Sequence, residues 1–219
     1  MKLLVVTGPV DAAIDSVRRL TNRATGSTGW SIAAEASLRG HEGVLLTSRP
    51  GESPGFGWTV QPFDDFNDLY VQLKTRITVY RPDVLVMAAA VCDYLVDGLK
   101  REESGPLEPI HGKIGGHAPQ LWLKLIPAPR LVDLSRSQWG FSGKLVVFKL
   151  ETGVDLPTLL MRAEATRTRC HADIAVANLL ETANDQAWIG PNQEGHYELV
   201  IRSELPSRLL NALALNGKN

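Results

Sequence analysis

Two cysteines, Cys92 and Cys170, are all that this chain of 219 residues contains. They form no C-x-x-C pair, so neither a disulfide framework nor a zinc site is expected, and two reduced thiols in a cytoplasmic protein are the reading. The histidines (His41, His111, His117, His171, His196) lack metal-ligand spacing, and no metal ligands are assigned. Charge of one sign is also missing. Lys and Arg number 23 against 24 Asp and Glu, a net charge of -1, and the basic residues are scattered, which speaks against a nucleic-acid surface. No apolar run approaches the roughly 20 residues of a membrane span. The start Met1-Lys2-Leu3-Leu4-Val5-Val6 breaks at Thr7-Gly8-Pro9, too early for a secretory leader.

What is present is a 44% apolar composition, enough for a normal core, in a length suited to one domain spanning 1–219 with an inserted arm. Short apolar runs, mostly β-branched, occur at Leu3–Val6, Val44–Thr47, Val84–Ala89, Leu145–Phe148 and Ile174–Ala177. Such runs suit strands covered on both faces. Helical patterns fill the gaps at Ser27–Arg39, Asp64–Tyr80, Arg130–Gln138 and Leu156–Arg169, with Asp64 as an N-cap and Arg81-Pro82 as a stop. The alternation predicts an α/β fold, a Rossmann-like, doubly wound, mostly parallel sheet. A late hairpin is expected from Gln186–Ile189 and Tyr197–Ile201, around Glu194-Gly195, and a last helix over Pro206–Leu215.

Leu95–Gln120 breaks the rhythm, being rich in Gly, Pro and charge. A loop this long inside a compact domain is usually functional or disordered. It reads as a flap able to reach over a ligand at the carboxyl edge of the sheet. Leu121-Trp122-Leu123-Lys124-Leu125 then alternates like a strand leaving the main sheet, so the insertion runs over about 95–125.

The segment after the first strand carries the sharpest signal. A polar loop with Gly26 and Gly29 opens a helical pattern at Trp30–Leu38. Glycines there let a ligand approach the backbone, and a helix N-terminus offers unpaired N–H groups carrying about half a positive charge, an arrangement suited to phosphate.

The wider pattern is more specific. Gly8-Pro9, Ile14-Asp15-x-Val17-Arg18 and Asn22-x-x-x-Gly26-x-x-Gly29 are followed in order by Ala88-Ala89-Ala90-Val91-Cys92-Asp93-Tyr94, Lys113-Ile114, Phe148-Lys149-Leu150-Glu151-Thr152 and Asp173-Ile174-Ala175-Val176-Ala177-Asn178. Together they resemble the phosphopantothenoylcysteine synthetases of coenzyme A biosynthesis, in stand-alone form. The same segments are similar to the C-terminal half of the bacterial DNA/pantothenate metabolism flavoprotein. Phe148–Thr152 and Val176–Leu180 stand closer to the eukaryotic-type branch.

The resemblance implies a ligase that joins 4'-phosphopantothenate to L-cysteine through an acyl-nucleotide, using a nucleoside triphosphate and Mg²⁺. It also implies a dimer formed through the arm. Since the chain starts directly at the synthetase strand, no fused flavin decarboxylase and no FMN are expected. Asn22 falls on the family's catalytic asparagine, where a neutral amide can donate to the acyl oxygen without repelling phosphates; by residue type alone it would bond its own loop. Lys113 matches the first lysine of the family's flap motif; alone it would be a solvated loop lysine. Gly8, Thr25, Gly26 and Gly29 fall in the phosphate turn. Ala89 and Ala90 leave room for a base or ribose, and Asp93 either accepts from that ligand or caps a turn. Phe148 resembles the base-contacting aromatic, although its chemistry equally suits a core position. Asn178 either forms a loop or lines the same crevice. Arg18 and Arg23 stand open between holding phosphate and forming surface ion pairs.

Three departures from the pattern bear on activity. Ser-Ser-Gly becomes Ala24-Thr25-Gly26, keeping one hydroxyl, and the basic run after Lys113-Ile114 becomes Gly115-Gly116. Lysines of the bacterial type fall on Thr166 and Cys170, with Arg162, Arg167 and Arg169 nearby. The triphosphate is therefore ATP or CTP, with the eukaryotic-like features leaning to ATP. Two alternatives compete. One is a nucleotide-binding paralogue with impaired catalysis. The other is a Rossmann-fold nicotinamide oxidoreductase, for which no G-x-G-x-x-G and no Tyr-x-x-x-Lys are present.

Overall fold

The protein is described from a computed structural model covering residues 1–117 and 120–215. Its main elements are β1 Lys2–Thr7, α1 Ser27–Leu38, β2 Glu42–Thr47, β3 Trp58–Pro62, α2 Phe66–Thr75, β4 Val84–Met87, β5 Tyr94–Lys100, β6 Trp122–Pro127, α3 Leu131–Ser137, β7 Lys144–Glu151, α4 Leu156–Arg169, β8 Ile174–Leu179, β9 Gln186–Gly190, β10 Glu198–Ile201 and α5 Leu205–Leu215. Eight strands form one sheet in the order β10-β9-β8-β7-β4-β1-β2-β3. From β8 to β3 every pairing is parallel, while β9 and β10 add the antiparallel hairpin at one edge. This is the expected doubly wound α/β fold.

The sheet is covered on both sides, and strand residues alternate between two cores. Leu4, Val6, Leu46, Leu85, Leu145 and Val147 pack with α2, α3 and α4. Leu3, Val5, Leu45, Val86, Val146 and Val176 pack with α1 and α5. Continuous apolar runs are what such a sheet requires, since each successive side chain enters one core or the other.

Several elements differ from the expectation. The α2 cap is Asp65, whose carboxylate accepts from the Asp68 amide at 3.0 Å. Asp64 turns away to pair with Arg19 at 2.9 Å. The helix ends at Thr75, and Arg76–Tyr80 continues as a wider π turn that Arg81, at φ +53°, closes before Pro82. The β4 run stops at Met87; Ala90–Val91 is a separate short strand beside Pro9–Val10, so Asp93 follows it in a turn and does not end a long strand. The insertion begins as β5, paired antiparallel with β6, and only its middle is irregular; positions 118 and 119 lie outside the described residues. One edge of the Leu121–Leu125 run is thus already satisfied by β5. Edge strand β3 was not anticipated, because Trp58–Pro62 follows a Gly/Pro/Ser-rich stretch and ends on proline, tolerated only at such an edge. No helix among the described residues is long and apolar enough to cross a membrane.

Candidate active site at the switch point of the sheet

β1 and β4 are neighbours, but the chain runs outward from them in opposite directions, to β2 and β3 on one side and to β7 and β8 on the other. A crevice outside the carboxyl ends of the strands at such a switch point is where open α/β sheets take ligands. Most of the anticipated site residues lie around it.

Gly8 leaves β1 at φ +93°, a conformation open to glycine, and a Cβ there would lie 2.5 Å from Ser48 Oγ. Its carbonyl accepts from the Ala90 amide at 3.0 Å, and Pro9–Val10 pairs with Ala90–Val91. Asn22 joins the same point: its Nδ2 donates to the Ala90 carbonyl at 3.0 Å. Its side chain therefore bonds across the crevice floor, not to its own loop.

Gly26 is the N-cap of α1 at φ +81°, and the Thr7 hydroxyl donates to its carbonyl at 2.7 Å. Among the described residues, no side chain caps this helix at Gly26. The amides of Thr28 and Gly29 in its first turn are left, among the described residues, to water or a ligand, whereas that of Ser27 is taken by Thr25. Thr25 Oγ1 stays local, accepting from the Ser27 amide at 3.3 Å and donating to Ser27 Oγ at 3.0 Å. Gly29 serves packing: a Cβ there would meet Thr7 Cβ at 2.3 Å. Its role is to let α1 lie on β1, and the close approach is made by Thr7, not by a ligand.

On the far side of β4 a cleft of about 690 Å³ is lined by Ala89, Asp93, Phe148, Lys149, Thr166 and Arg169, among others. Asp93 is exposed, Ala89 and Phe148 half-buried. Asp93 is the one carboxylate among the described lining residues, against the cations Arg130, Lys149 and Arg169. Lys149 and Arg162 both pair with Glu151, at 2.9 and 2.6 Å, and Lys149 first, then Arg162, holds that carboxyl below its ordinary range. Arg169 pairs with Asp133, and Arg167 with Glu164 at 2.6 Å. Of the arginines near the altered lysine positions, only Arg169 lines the cleft. Cys170 is buried and its thiol donates to the Thr166 carbonyl at 3.0 Å; burial pushes that thiol up, as it does the buried Cys92.

Two features had no role assigned from sequence. Arg202 reaches the Thr28 hydroxyl at the start of α1, and the Asn178 carboxamide stands between its guanidinium and the Ala177 carbonyl, 3.2 Å from each. Burial pushes the Arg202 guanidinium below its ordinary value. Nothing in Val-Ile-Arg-Ser-Glu signals such a reach. Asn178 is buried at the end of β8. The second is Asp15. Its Oδ1 accepts from the amides of Val17 at 2.8 Å and Arg18 at 2.7 Å, and its Oδ2 from Arg18 Nη1 at 2.7 Å and the Ile114 amide at 3.0 Å. The Ile114 amide leads, ahead of the Val17 and Arg18 amides and the Arg18 charge, in holding the carboxyl down at about 2. Arg18 also donates to the Ile114 carbonyl at 3.2 Å, and the Ser16 amide to Gly112 at 3.3 Å. Arg18 is thereby committed to an ion pair, while Arg23 is exposed. Lys113, exposed, lies between two tethered residues.

The comparisons with known proteins bear on the family and the fold. Residues 1–196 match the family described as the DNA/pantothenate metabolism flavoprotein C-terminal domain. The coenzyme A biosynthesis bifunctional protein CoaBC of Thermococcus kodakarensis is 29% identical over 216 residues, covering 95% of this chain and 49% of that protein. Phosphopantothenate–cysteine ligase 1 of Oryza sativa is 26% identical over 137 residues, covering 59% of this chain and 38% of that protein. The chain spans about half the length of the archaeal relative, or less in the plant one. Among solved structures, the DNA/pantothenate metabolism flavoprotein of Streptococcus pneumoniae superposes with a TM-score of 0.86 at 25% identity, covering 99% of both chains. Cab2 in complex with phosphopantothenate-cysteine shares the fold, with a TM-score of 0.74 at 18% identity over 100% of this chain and 89% of that one.

Proposed function

This chain belongs to the family of the DNA/pantothenate metabolism flavoprotein C-terminal domain, and on that premise we propose that it is a phosphopantothenate–cysteine ligase acting in coenzyme A biosynthesis. A carboxylate does not react with an amine at neutral pH, because its carbon is poorly electrophilic. Activation proceeds by attack of the pantothenate carboxylate on the α-phosphorus of ATP or CTP, with loss of pyrophosphate. The cysteine amine then attacks the acyl carbon and expels the nucleoside monophosphate. Each half needs donors where negative charge gathers.

The residues supply such donors. The first turn of α1, opened by Gly26, would meet phosphate with the amides of Thr28 and Gly29. Lys113 brings a cation from the flap side. Ala89 and Phe148 provide room and an apolar wall for base or ribose, with Asp93 as their acceptor, and Ala90 adjoins them beside Asn22. Mg²⁺, a hard cation that binds phosphate oxygens, would neutralise the triphosphate when bound. The observation that carries the reading is the Asn22–Ala90 hydrogen bond. It uses one of the two Asn22 N–H donors. The other, without a partner among the described residues, is left for the acyl oxygen.

Residues 1–219 act in this reading as one synthetase domain with its insertion at about 95–125. The exposed Tyr94, Trp122, Leu125 and Ile126 of the β5–β6 ribbon support a homodimer, and two buried free thiols fit a cytoplasmic protein. A reading as a catalytically impaired paralogue is favoured by Ala24, Gly115 and Cys170, the last a buried thiol that brings no cation to its position. Incubation with 4'-phosphopantothenate, L-cysteine, Mg²⁺ and either triphosphate separates the two. Pyrophosphate released in step with phosphopantothenoylcysteine supports the ligase. Nucleotide bound without turnover supports the paralogue and rejects the ligase.

A further inference from the structure

Residues 111–117 are a poor segment to order. Gly112 takes φ +64°, and Cβ atoms at Gly112, Gly115 and Gly116 would meet nothing within 4 Å. Glycines lose the most freedom on ordering and bring no side chain to hold them. Within this run Ile114 alone is buried, while its described neighbours on both sides are exposed. Its amide, its carbonyl and the carbonyl of Gly112 are all engaged by residues 15–18.

Asp15 organises this contact. Its side chain has no accessible surface, and its four donors fill both carboxylate oxygens, two on each. The oxygens do different work. Oδ1 closes the turn at Val17 and Arg18, whereas Oδ2 grips Ile114 and the arginine that also holds the Ile114 carbonyl. The 15–18 segment leads within four residues to Asn22, so one carboxylate ties the loop bearing Asn22 to the loop bearing Lys113.

We propose that Asp15 is a positioning residue: by holding Ile114 it fixes the flap segment that presents Lys113 to the same crevice as Asn22. The catalytic half of this statement rests on the ligase reading; the latch itself does not.

The test has arms that separate the two. In the unaltered protein, the Ile114 amide should exchange with solvent at least about tenfold more slowly than those of Gly115 and Gly116, as befits a hydrogen bond to a charged acceptor. In Asp15→Asn, an NH₂ replaces one oxygen and confronts donors, so trypsin should cut the Lys113–Ile114 bond at least about tenfold faster. Equal exchange at Ile114 and its glycine neighbours, or unchanged cleavage in a folded variant, overturns the proposal; should the variant not fold, exchange in the unaltered protein decides. For turnover, Asp15→Asn should lower kcat more than it raises KM. The double variant with Lys113→Ala should be no slower than Lys113→Ala alone, because the latch acts through that lysine. Additive losses overturn the positioning role. A protein with protected Ile114 and no ligase turnover overturns the ligase reading and leaves the latch standing.

Discussion

The Asp15 carboxylate and the Ile114 amide, separated by 99 residues in sequence, meet at 3.0 Å and join the first crossover loop to the middle of the insertion. This contact ties the two segments together. Its pH dependence follows from the carboxyl being held at about 2, below its ordinary value near 4. A depressed value means that the anion's contribution is complete above about pH 4 and is lost as pH falls through about 2. Arg18 is the charged group bonded to it, at 2.7 Å. Ile114 exchange protection, corrected for intrinsic rates, should be constant from pH 7 to 4 and decline below. Protection that fades already at pH 6 would contradict this.

Asn22→Ala should leave the fold nearly intact, since the residue is exposed and loses one neutral hydrogen bond, about 1 kcal/mol. Amide formation should fall roughly 10²–10³-fold, the usual effect of removing an oxyanion donor. Nucleotide consumption should fall less. Quench-flow analysis of pyrophosphate and product checks this, and unaltered product yield would remove Asn22 from the site.

Gly29→Ala should destabilise the protein by about 1–3 kcal/mol, the cost of overpacking. The new methyl would sit 2.3 Å from Thr7 Cβ and 2.5 Å from Thr7 Oγ1, on a strand that cannot retreat. Denaturant unfolding measures it. An unchanged midpoint would mean that α1 can lift from β1 freely.

Trp122→Asp should shift the protein to a monomer. Trp122 and Leu125 lie 44% and 43% exposed on the ribbon, the apolar pair that the proposed homodimer would bury. Sedimentation at several concentrations reads the result; a dimer of unchanged affinity would place the interface elsewhere.

Much of the framework was legible in the sequence. Strands such as Leu3–Val6 and Leu145–Phe148 declare themselves because burial on both faces demands unbroken apolar runs. The glycines around α1 declared the turn, although Gly29 turned out to be a packing contact with Thr7. What escaped was what depends on partners distant in sequence. Asp15 carries no local mark of its bond to Ile114, nor Arg202 of its reach to Thr28. Asp64 and Asp65 are equally good caps by type, and only the Arg19 contact decides between them. The strand Tyr94–Lys100 was hidden by Asp97, Gly98 and its charged sequel, and is a strand because Trp122–Pro127 pairs with it.

The most direct test of the account follows one oxygen. 4'-Phosphopantothenate labelled with ¹⁸O in its carboxylate, given with L-cysteine, Mg²⁺ and triphosphate, should transfer one labelled oxygen to the released nucleoside monophosphate, because the carboxylate must bond to the α-phosphorus before the amine displaces it. Mass spectrometry of the AMP or CMP reads the transfer. A product formed with unlabelled monophosphate would contradict the acyl-nucleotide route.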